Sequence, residues 1–114
     1  MLRFEIDFLF DIEKECDFIT KTFNNISYTD FIDDDILKRA VARSLEIIGE
    51  AVKNIGKDTR NKNPEIYWKE IAGLRDKLIH HYFGIDYELV WEVIQNEVPD
   101  LYNNIKIIIK NENR

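Results

Sequence analysis

Apolar residues recur at spacings of three and four along almost the whole chain, the period of an amphipathic helix. No alternating apolar and polar stretch runs long enough to make a convincing strand. In the first segment Leu9, Ile12, Cys16, Ile19 and Phe23 form one stripe, with Asp11, Glu13, Glu15 and Asp17 largely outside it, which predicts a helix over about 3–23. Asn24, Asn25 and Ser27 supply turn and cap chemistry, and the apolar residues of a short turn from Tyr28 to Ile32 are expected to pin this loop to the core. The run Asp33, Asp34, Asp35 suits the first turn of a second helix, where carboxylates face the positive end of the helix dipole. That helix has the most continuous stripe: Leu37, Val41, Leu45, Ile48, Val52 and Ile55. Ala40, Gly49 and Ala51 are small enough to let a neighbouring helix approach closely, and Gly56 reads as a C-terminal stop.

The polar residues 57–64 read as a loop, and Pro64 suits the start of a third helix running to about Tyr82, where Gly84 and Asp86 break it. Asp86 is placed to cap a fourth helix from Tyr87 to about Asn96. Pro99 then opens a fifth, in which Leu101, Ile105 and Ile108 continue the stripe, and residues 111–114 should fray. With no internal repeat or low-complexity tract, the pattern predicts one all-α domain over 1–114, an antiparallel four- or five-helix bundle.

Composition sharpens this picture. A chain of 114 residues, 45% hydrophobic and 33% charged, has enough surface to bury for a single core without disulfides or a structural metal. Its one cysteine, Cys16, has no internal disulfide partner and reads as a small core residue. No apolar run approaches the ~20 residues of a membrane span, and the opening Met-Leu-Arg-Phe-Glu-Ile-Asp-Phe lacks the apolar region of a secretory signal, so a cytoplasmic location is expected. The net charge of -6 is uneven: -7 over residues 1–35, +4 over 36–77 and -3 over 78–114. An acidic domain binds nucleic acid only through a local basic cleft, and the middle third is where one would lie.

The sequence has no Gly-rich phosphate loop, Gly-x-Ser-x-Gly elbow, His-Glu-x-x-His pair or Cys-x-x-Cys. No metal site or cofactor is expected. Candidate chemistry is concentrated in Leu74-Arg75-Asp76-Lys77-Leu78-Ile79-His80-His81-Tyr82-Phe83-Gly84, which holds both histidines. On a regular helix Tyr82 lies about 20° from Arg75 and His80 about 40° from Asp76, whereas Arg75 and His80 are about 140° apart and roughly 7.5 Å along the axis. A two-fold dimer about this helix would bring two copies of Arg75 and His80 into one groove, with donors for a phosphate and imidazoles able to move protons near neutral pH. From spacing alone, solvated ion pairs and a surface histidine pair remain the simpler reading.

The odds change because Arg75-x4-His80-x-Tyr82 resembles the Arg-x4-His-x-Tyr motif of the HepT toxins, a branch of the HEPN superfamily. The resemblance extends over Leu45-Glu46-Ile47-Ile48-Gly49-Glu50-Ala51 with Lys53-Asn54, Pro64-Glu65-Ile66, Trp68-Lys69-Glu70-Ile71-Ala72-Gly73-Leu74, Tyr82-Phe83-Gly84-Ile85-Asp86 and Val90-Trp91-Glu92. It runs from the Asp11-Ile12 region to the helix near Pro99. The resemblance implies an all-helical homodimer, metal-independent RNA cleavage as an endoribonuclease, and a small MNT-type nucleotidyltransferase as antitoxin. It implies His80 as general acid or base for attack of a ribose 2′-OH on the adjacent phosphate, and Arg75 as the cation for charge on the phosphoryl oxygens. Tyr82 would be the AMP acceptor through which the partner inactivates the toxin. The sequence departs from the family in one place: the residue after the arginine is often Asn, and here Asp76 stands there, a carboxylate able to pair with Arg75 and raise the His80 pKa.

Around these, Lys77 is either a supporting phosphate contact or a solvated lysine, and His81 reads as exposed. Asp86 suits a helix cap, and Trp68 and Trp91 suit core or dimer anchors. The alternative to an RNase toxin is a non-catalytic helical dimerisation module that partners a nucleotidyltransferase, with which the acidic surface and Asp76 are compatible.

Overall fold

The computed structural model describes residues 3–80 and 84–112, with only the backbone of Arg3 and His80. The first stripe forms α1, Arg3–Thr22, and Leu9, Ile12, Cys16 and Ile19 on it are fully buried, with Phe23 just beyond its end. Fully burying an aliphatic or aromatic side chain contributes about 1.5–3 kcal/mol, so this stripe is a main source of cohesion. Ser27 caps α2, Tyr28–Ile32, by accepting the Asp30 N–H, and the short helix buries Phe31. The aspartate run divides its work: Asp34 caps α3, Asp35–Lys53, by accepting from the N–H groups of Ile36 and Leu37, and Asp35 lies in its first turn.

Helix α1 packs against both α3 and α8, the latter spanning Val98–Glu112. The directions follow from side-chain pairs. Glu5 accepts the Gly56 N–H and Glu15 accepts the Ser44 hydroxyl at 2.8 Å, so α1 and α3 run antiparallel. Tyr102 of α8 donates to Asp17 at 2.7 Å, while Glu5 shares a surface concavity with Glu112, so α1 and α8 also run antiparallel. Phe31, Trp91, Phe23, Tyr28 and Tyr87 close one end of this core, with Phe31 stacked on Trp91 at 5.4 Å and the others edge-on.

Several boundaries differ from those the sequence predicts. Helix α3 ends at Lys53, and Gly56 is the N-cap of a further short helix, α4, Lys57–Lys62, where a loop is expected. Arg60 accounts for part of this, because its guanidinium donates to the carbonyls of Ile55 and Val52 and so ties the polar helix to the end of α3. The third predicted helix is shorter at both ends and bent. Pro64 lies in a turn, helix α5 is Trp68–Ala72, and Gly73 separates it from α6, Leu74–Leu78. Trp68 is buried, and its Nε1–H donates to the Asn63 carbonyl, which anchors the turn.

At Ile79 the chain leaves the helical region for φ -102 and ψ 119, and Ile79–His80, β1, pairs antiparallel with Gly84–Ile85, β2. The expected helix to Tyr82 therefore does not form. Gly84 has φ +76, a conformation glycine adopts without strain, and the Asp86 N–H closes the turn on the Leu78 carbonyl at 2.8 Å. Asp86 then caps α7, Tyr87–Glu92, as expected, by accepting the Leu89 N–H.

Two helices are predicted in the last third, and one continuous helical run is found. Helix α7 passes through a π-helical turn, Val93–Glu97, into α8, and the Val98 N–H bonds to the Val93 carbonyl five residues back. Pro99 thus lies inside the run. It has no N–H for the Gln95 carbonyl, and the widened turn just before it accommodates the ring. Asn111 and Glu112 are helical rather than frayed, and residues 113–114 lie outside the described region. Among the described residues, no helix is long and apolar enough to cross a membrane.

The Asp17–Tyr102 bond supplies a pH-dependent test of the α1–α8 contact. Accepting the Tyr102 hydroxyl, then its bond to Lys21, lowers the Asp17 pKa from its usual value, and the same Tyr102 hydrogen bond holds the phenol up to about 12. The depressed Asp17 pKa favours the fold above the ordinary carboxylate range, and this contribution is lost as pH falls through the native value. The raised Tyr102 pKa favours the fold below about pH 10, and its contribution is lost as pH rises towards about 12. Urea midpoints measured from pH 2 to 11 should therefore fall less steeply at both extremes in Tyr102→Phe than in the wild type.

Candidate functional site

Helix α6 is a single short turn whose two leucines face the core: Leu74 is 5% exposed and Leu78 4%. The i, i+4 spacing of these anchors leaves Arg75, Asp76 and Lys77 on the outer side, all three exposed. The turn is positioned from below by α3. Gly49 lies beneath the end of α5, where a Cβ would meet the Ile71 and Ala72 carbonyl oxygens at 3.4 and 3.7 Å. A methyl would touch those carbonyls, and a longer side chain would push α5 and α6 away. Of the small residues of the second predicted helix, Gly49 is thus one that serves close approach.

The immediate partner of Arg75 is Glu46 of α3, whose Oε2 lies 3.6 Å from the arginine Nε. Arg43 reaches the same oxygen from one turn earlier on α3, with Nη1 at 3.9 Å. Asp76 is not the partner that its position after Arg75 suggests, and among the described residues it makes no ion pair. The reason is local. Neighbours in sequence on a helix do not face each other, whereas Glu46 lies across the α3–α6 contact. Nothing within the Arg75 segment signals Glu46 as its partner, since the two meet only through packing.

The helix break changes the relation between Arg75 and His80. The helical angle of about 140° requires a regular helix through both, and the chain departs from one at Ile79. His80 instead occupies β1, its backbone opposite Gly84, one residue beyond Ile79, which pairs with Ile85. Leu78, Ile79 and Ile85 line a small apolar concavity together with Ala42, Leu45, Arg75 and Glu46, so the base of the hairpin is joined to the Arg75 environment. The angular argument for recruiting a second chain therefore loses its premise. The AMP-acceptor candidate Tyr82, its expected angle to Arg75, and His81 lie outside the described residues. The sequence did contain a signal for the break: Ile79 to Phe83 holds a β-branched residue and two aromatic residues, Tyr82 and Phe83, and is followed by Gly84 and Asp86.

Other candidates take ordinary places. Cys16 is buried at the centre of α1, and burial, followed by the charges of Glu15 and Glu13, pushes its thiol up to about 12. Trp91 belongs to the aromatic end of the core. A groove of about 450 Å³ lies between the turn before α5 and the start of α8, lined by Glu65, Tyr67, Glu70, Glu97, Asp100 and neighbouring residues. It includes no residue of α6, and its acidic rim is unsuited to a phosphate. Among the described residues, no group of three or more His, Cys, Asp or Glu side chains is arranged to hold a metal ion.

The geometry gives an exposed arginine at the foot of a hairpin that carries a histidine, and known proteins are similar to this chain over most of its length. A protein of Caldanaerobacter subterraneus subsp. tengcongensis named "Putative RNase" is 50% identical over 105 residues, covering 92% of this chain and 94% of that protein. A protein of Methanocaldococcus jannaschii with the same kind of name is 50% identical over 103 residues, covering 90% and 85% respectively. A third, named "Probable ribonuclease HepT", from Thermococcus cleftensis, is 44% identical over 101 residues, covering 89% of this chain and 92% of its own. No solved structure matches the chain. The family model described as Ribonuclease HepT-like matches residues 12–108, from the core of α1 to the last buried turns of α8, and the chain accordingly belongs to the HepT-like ribonuclease family.

Proposed function

We propose that this protein is the toxin of a toxin–antitoxin pair, a metal-independent endoribonuclease that works as a homodimer through Arg75 and His80. Family membership supports the RNase class, and the observation that carries the site is Arg75 itself: an exposed guanidinium held at the surface by two buried leucines, next to the hairpin of His80. In the proposed reaction a ribose 2′-oxygen attacks the adjacent phosphorus and the bond from phosphorus to the 5′-oxygen breaks. One His80 accepts the 2′-OH proton and its counterpart in the dimer returns a proton to the leaving oxygen. Arg75 offers donors to the phosphoryl oxygens where negative charge accumulates. The need for a 2′-OH selects RNA over DNA. Lys77, exposed one residue beyond Asp76, adds a supporting phosphate contact in this reading, and Asp76 lowers the local positive charge.

The proposed partner is an MNT-type nucleotidyltransferase that transfers AMP from ATP to Tyr82: the hydroxyl oxygen bonds to the α-phosphorus, the bond to the β-phosphate breaks so that pyrophosphate leaves, and the phenolic proton is lost to solvent. A bulky anionic group beside the catalytic pair would exclude an RNA phosphate by volume and by repulsion. Tyr82 lies two residues after His80 in the chain, which supports proximity without fixing it.

Light scattering at tens of micromolar should give the mass of a dimer; full activity from a strict monomer would remove the exchange of protons between two chains. Arg75→Ala and His80→Ala should each reduce cleavage of purified RNA in EDTA by at least ~100-fold, the scale of a lost general acid–base or charge-stabilising group. Their helical circular dichroism should stay at wild-type level. Wild-type cleavage that required Mg²⁺ would end the metal-independent mechanism. Tyr82→Phe should keep at least part of the RNase activity, because a phenol with a reference pKa of about 10 is a poor base at neutral pH. Co-expressed with its nucleotidyltransferase, the wild type should gain AMP by intact mass and the Phe variant should gain none and escape neutralisation. Modification mapping to another residue would return Tyr82 to a packing or substrate-positioning role.

A further inference from the structure

Arg43 belongs to none of the roles above, yet it meets Arg75 at a single atom. Its Nη1 lies 3.9 Å from Glu46 Oε2, and the Arg75 Nε lies 3.6 Å from the same oxygen, so a carboxylate on α3 gathers two guanidinium groups from two helices. Neither separation is short enough for a hydrogen bond, and among the described residues neither guanidinium donates one to the protein. The Arg43 side chain is 71% exposed and that of Arg75 55%, against 31% for Glu46. The planar donor edges of both arginines are therefore accessible, and both lie within ion-pair distance of one carboxylate oxygen.

Stability does not explain this arrangement, because exposed ion pairs contribute little, and two guanidinium groups held together repel each other. Charge complementarity explains it better. Two arginines and one glutamate leave a net single positive charge, which a phosphodiester group matches, and a guanidinium fork fits phosphate oxygens in a way a lysine cannot. The cluster also falls in the basic middle third of an otherwise acidic chain.

We propose that Arg43 is a second RNA-binding residue, contacting the phosphodiester backbone beside the cleaved bond, and that Glu46 is a positioning residue that holds Arg43 and Arg75 side by side. The inference rests on the RNase reading above and specifies how that site takes its substrate. Binding through Arg43 is independent of base identity, since phosphate contacts position the strand without reading it. Arg43 and Glu46 have different signatures. Loss of Arg43 weakens substrate binding and leaves the chemical step intact. Loss of the Glu46 charge makes the cluster more positive, so binding does not weaken at low salt, but Arg75 loses its orientation and turnover falls.

The test uses the full chain with a short fluorescein-labelled single-stranded oligoribonucleotide, measuring initial rates and binding anisotropy over a salt series. Arg43→Ala should raise KM about tenfold, the scale of one charge-assisted hydrogen bond, with kcat within about twofold. Its slope of log affinity against log salt should become shallower by about 0.7, the value for one lost single-strand phosphate contact. Arg43→Lys should keep that slope while losing part of the affinity. Glu46→Gln should lower kcat about tenfold, with Kd at low salt unchanged or tighter. Lys53→Ala, on the same helix but paired with Glu50 at 3.2 Å, is the control and should match the wild type. If Arg43→Ala matches that control in KM, Kd and salt slope while Arg75→Ala is inactive, the second contact is wrong and the RNase reading stands. If Glu46→Gln binds more tightly with unchanged kcat, Glu46 only balances charge and its positioning role is overturned. A wild type that binds RNA without cleaving it would end the RNase reading, and the Kd and salt slope of Arg43→Ala would still decide the contact. A wild type that neither binds nor cleaves overturns both.

Discussion

The stripe of Leu9, Ile12, Cys16 and Ile19 is the surface on which the other long helices are assembled. All four residues are fully buried, and α1 has α3 on one side and α8 on the other. The polar contacts that set the register are few and lie at the margins of the stripe: Glu15 with Ser44, Glu5 with Gly56, and Asp17 with Tyr102. Apolar burial supplies most of the cohesion, and these bonds select among alignments that burial alone would tolerate. Charge on α1 is pushed to the flanks, so the acidic first third surrounds the stripe without entering it.

The candidate site stands one layer away from that core. Helix α3 has two faces in use: Val41, Leu45, Ile48 and Val52 are buried, while Arg43 and Glu46 lie beside α6. Gly49 keeps α5 close, and Leu74 and Leu78 fasten the five-residue α6 at both ends. Arg75 is thus an exposed residue whose backbone is held by buried neighbours. Short helices have little intrinsic stability, so α6 exists because of its tertiary anchors. The functional segment can depart from helical geometry at Ile79 because its core contacts are already made by Leu78.

The long stripes were legible because their period persists over several turns. Every residue of the α1 stripe and nearly every residue of the α3 stripe is buried, and Ser27, Asp34 and Asp86 cap helices through side-chain oxygens. Failures cluster where four-residue spacing continues by coincidence or polarity hides a helix. Leu74, Leu78 and Tyr82 keep the helical interval, so periodicity carries the helix past its end, while the two isoleucines, two aromatics and glycine of Ile79 to Ile85 point the other way. Residues 57–62 look like a loop because α4 buries only Thr59. Arg75, His80 and Tyr82 were found through their order in a motif. Glu46 was not, since its meeting with Arg75 depends on the packing of α3 against α6, and adjacency in the chain wrongly favoured Asp76.

The π-helical turn at Val93–Glu97 also sets the direction in which every later side chain of the run points. It contains one residue more than an α-helical turn would need, so the face that α8 offers to α1 is rotated and advanced relative to a regular continuation of α7. Deleting the additional residue would restore α-helical geometry just where the Pro99 ring has no N–H to donate and collides with the preceding turn, and it would also displace Tyr102 from Asp17. The turn and the proline are therefore coupled, so that removing one residue from the turn would change both the face α8 offers to α1 and the fit of the Pro99 ring.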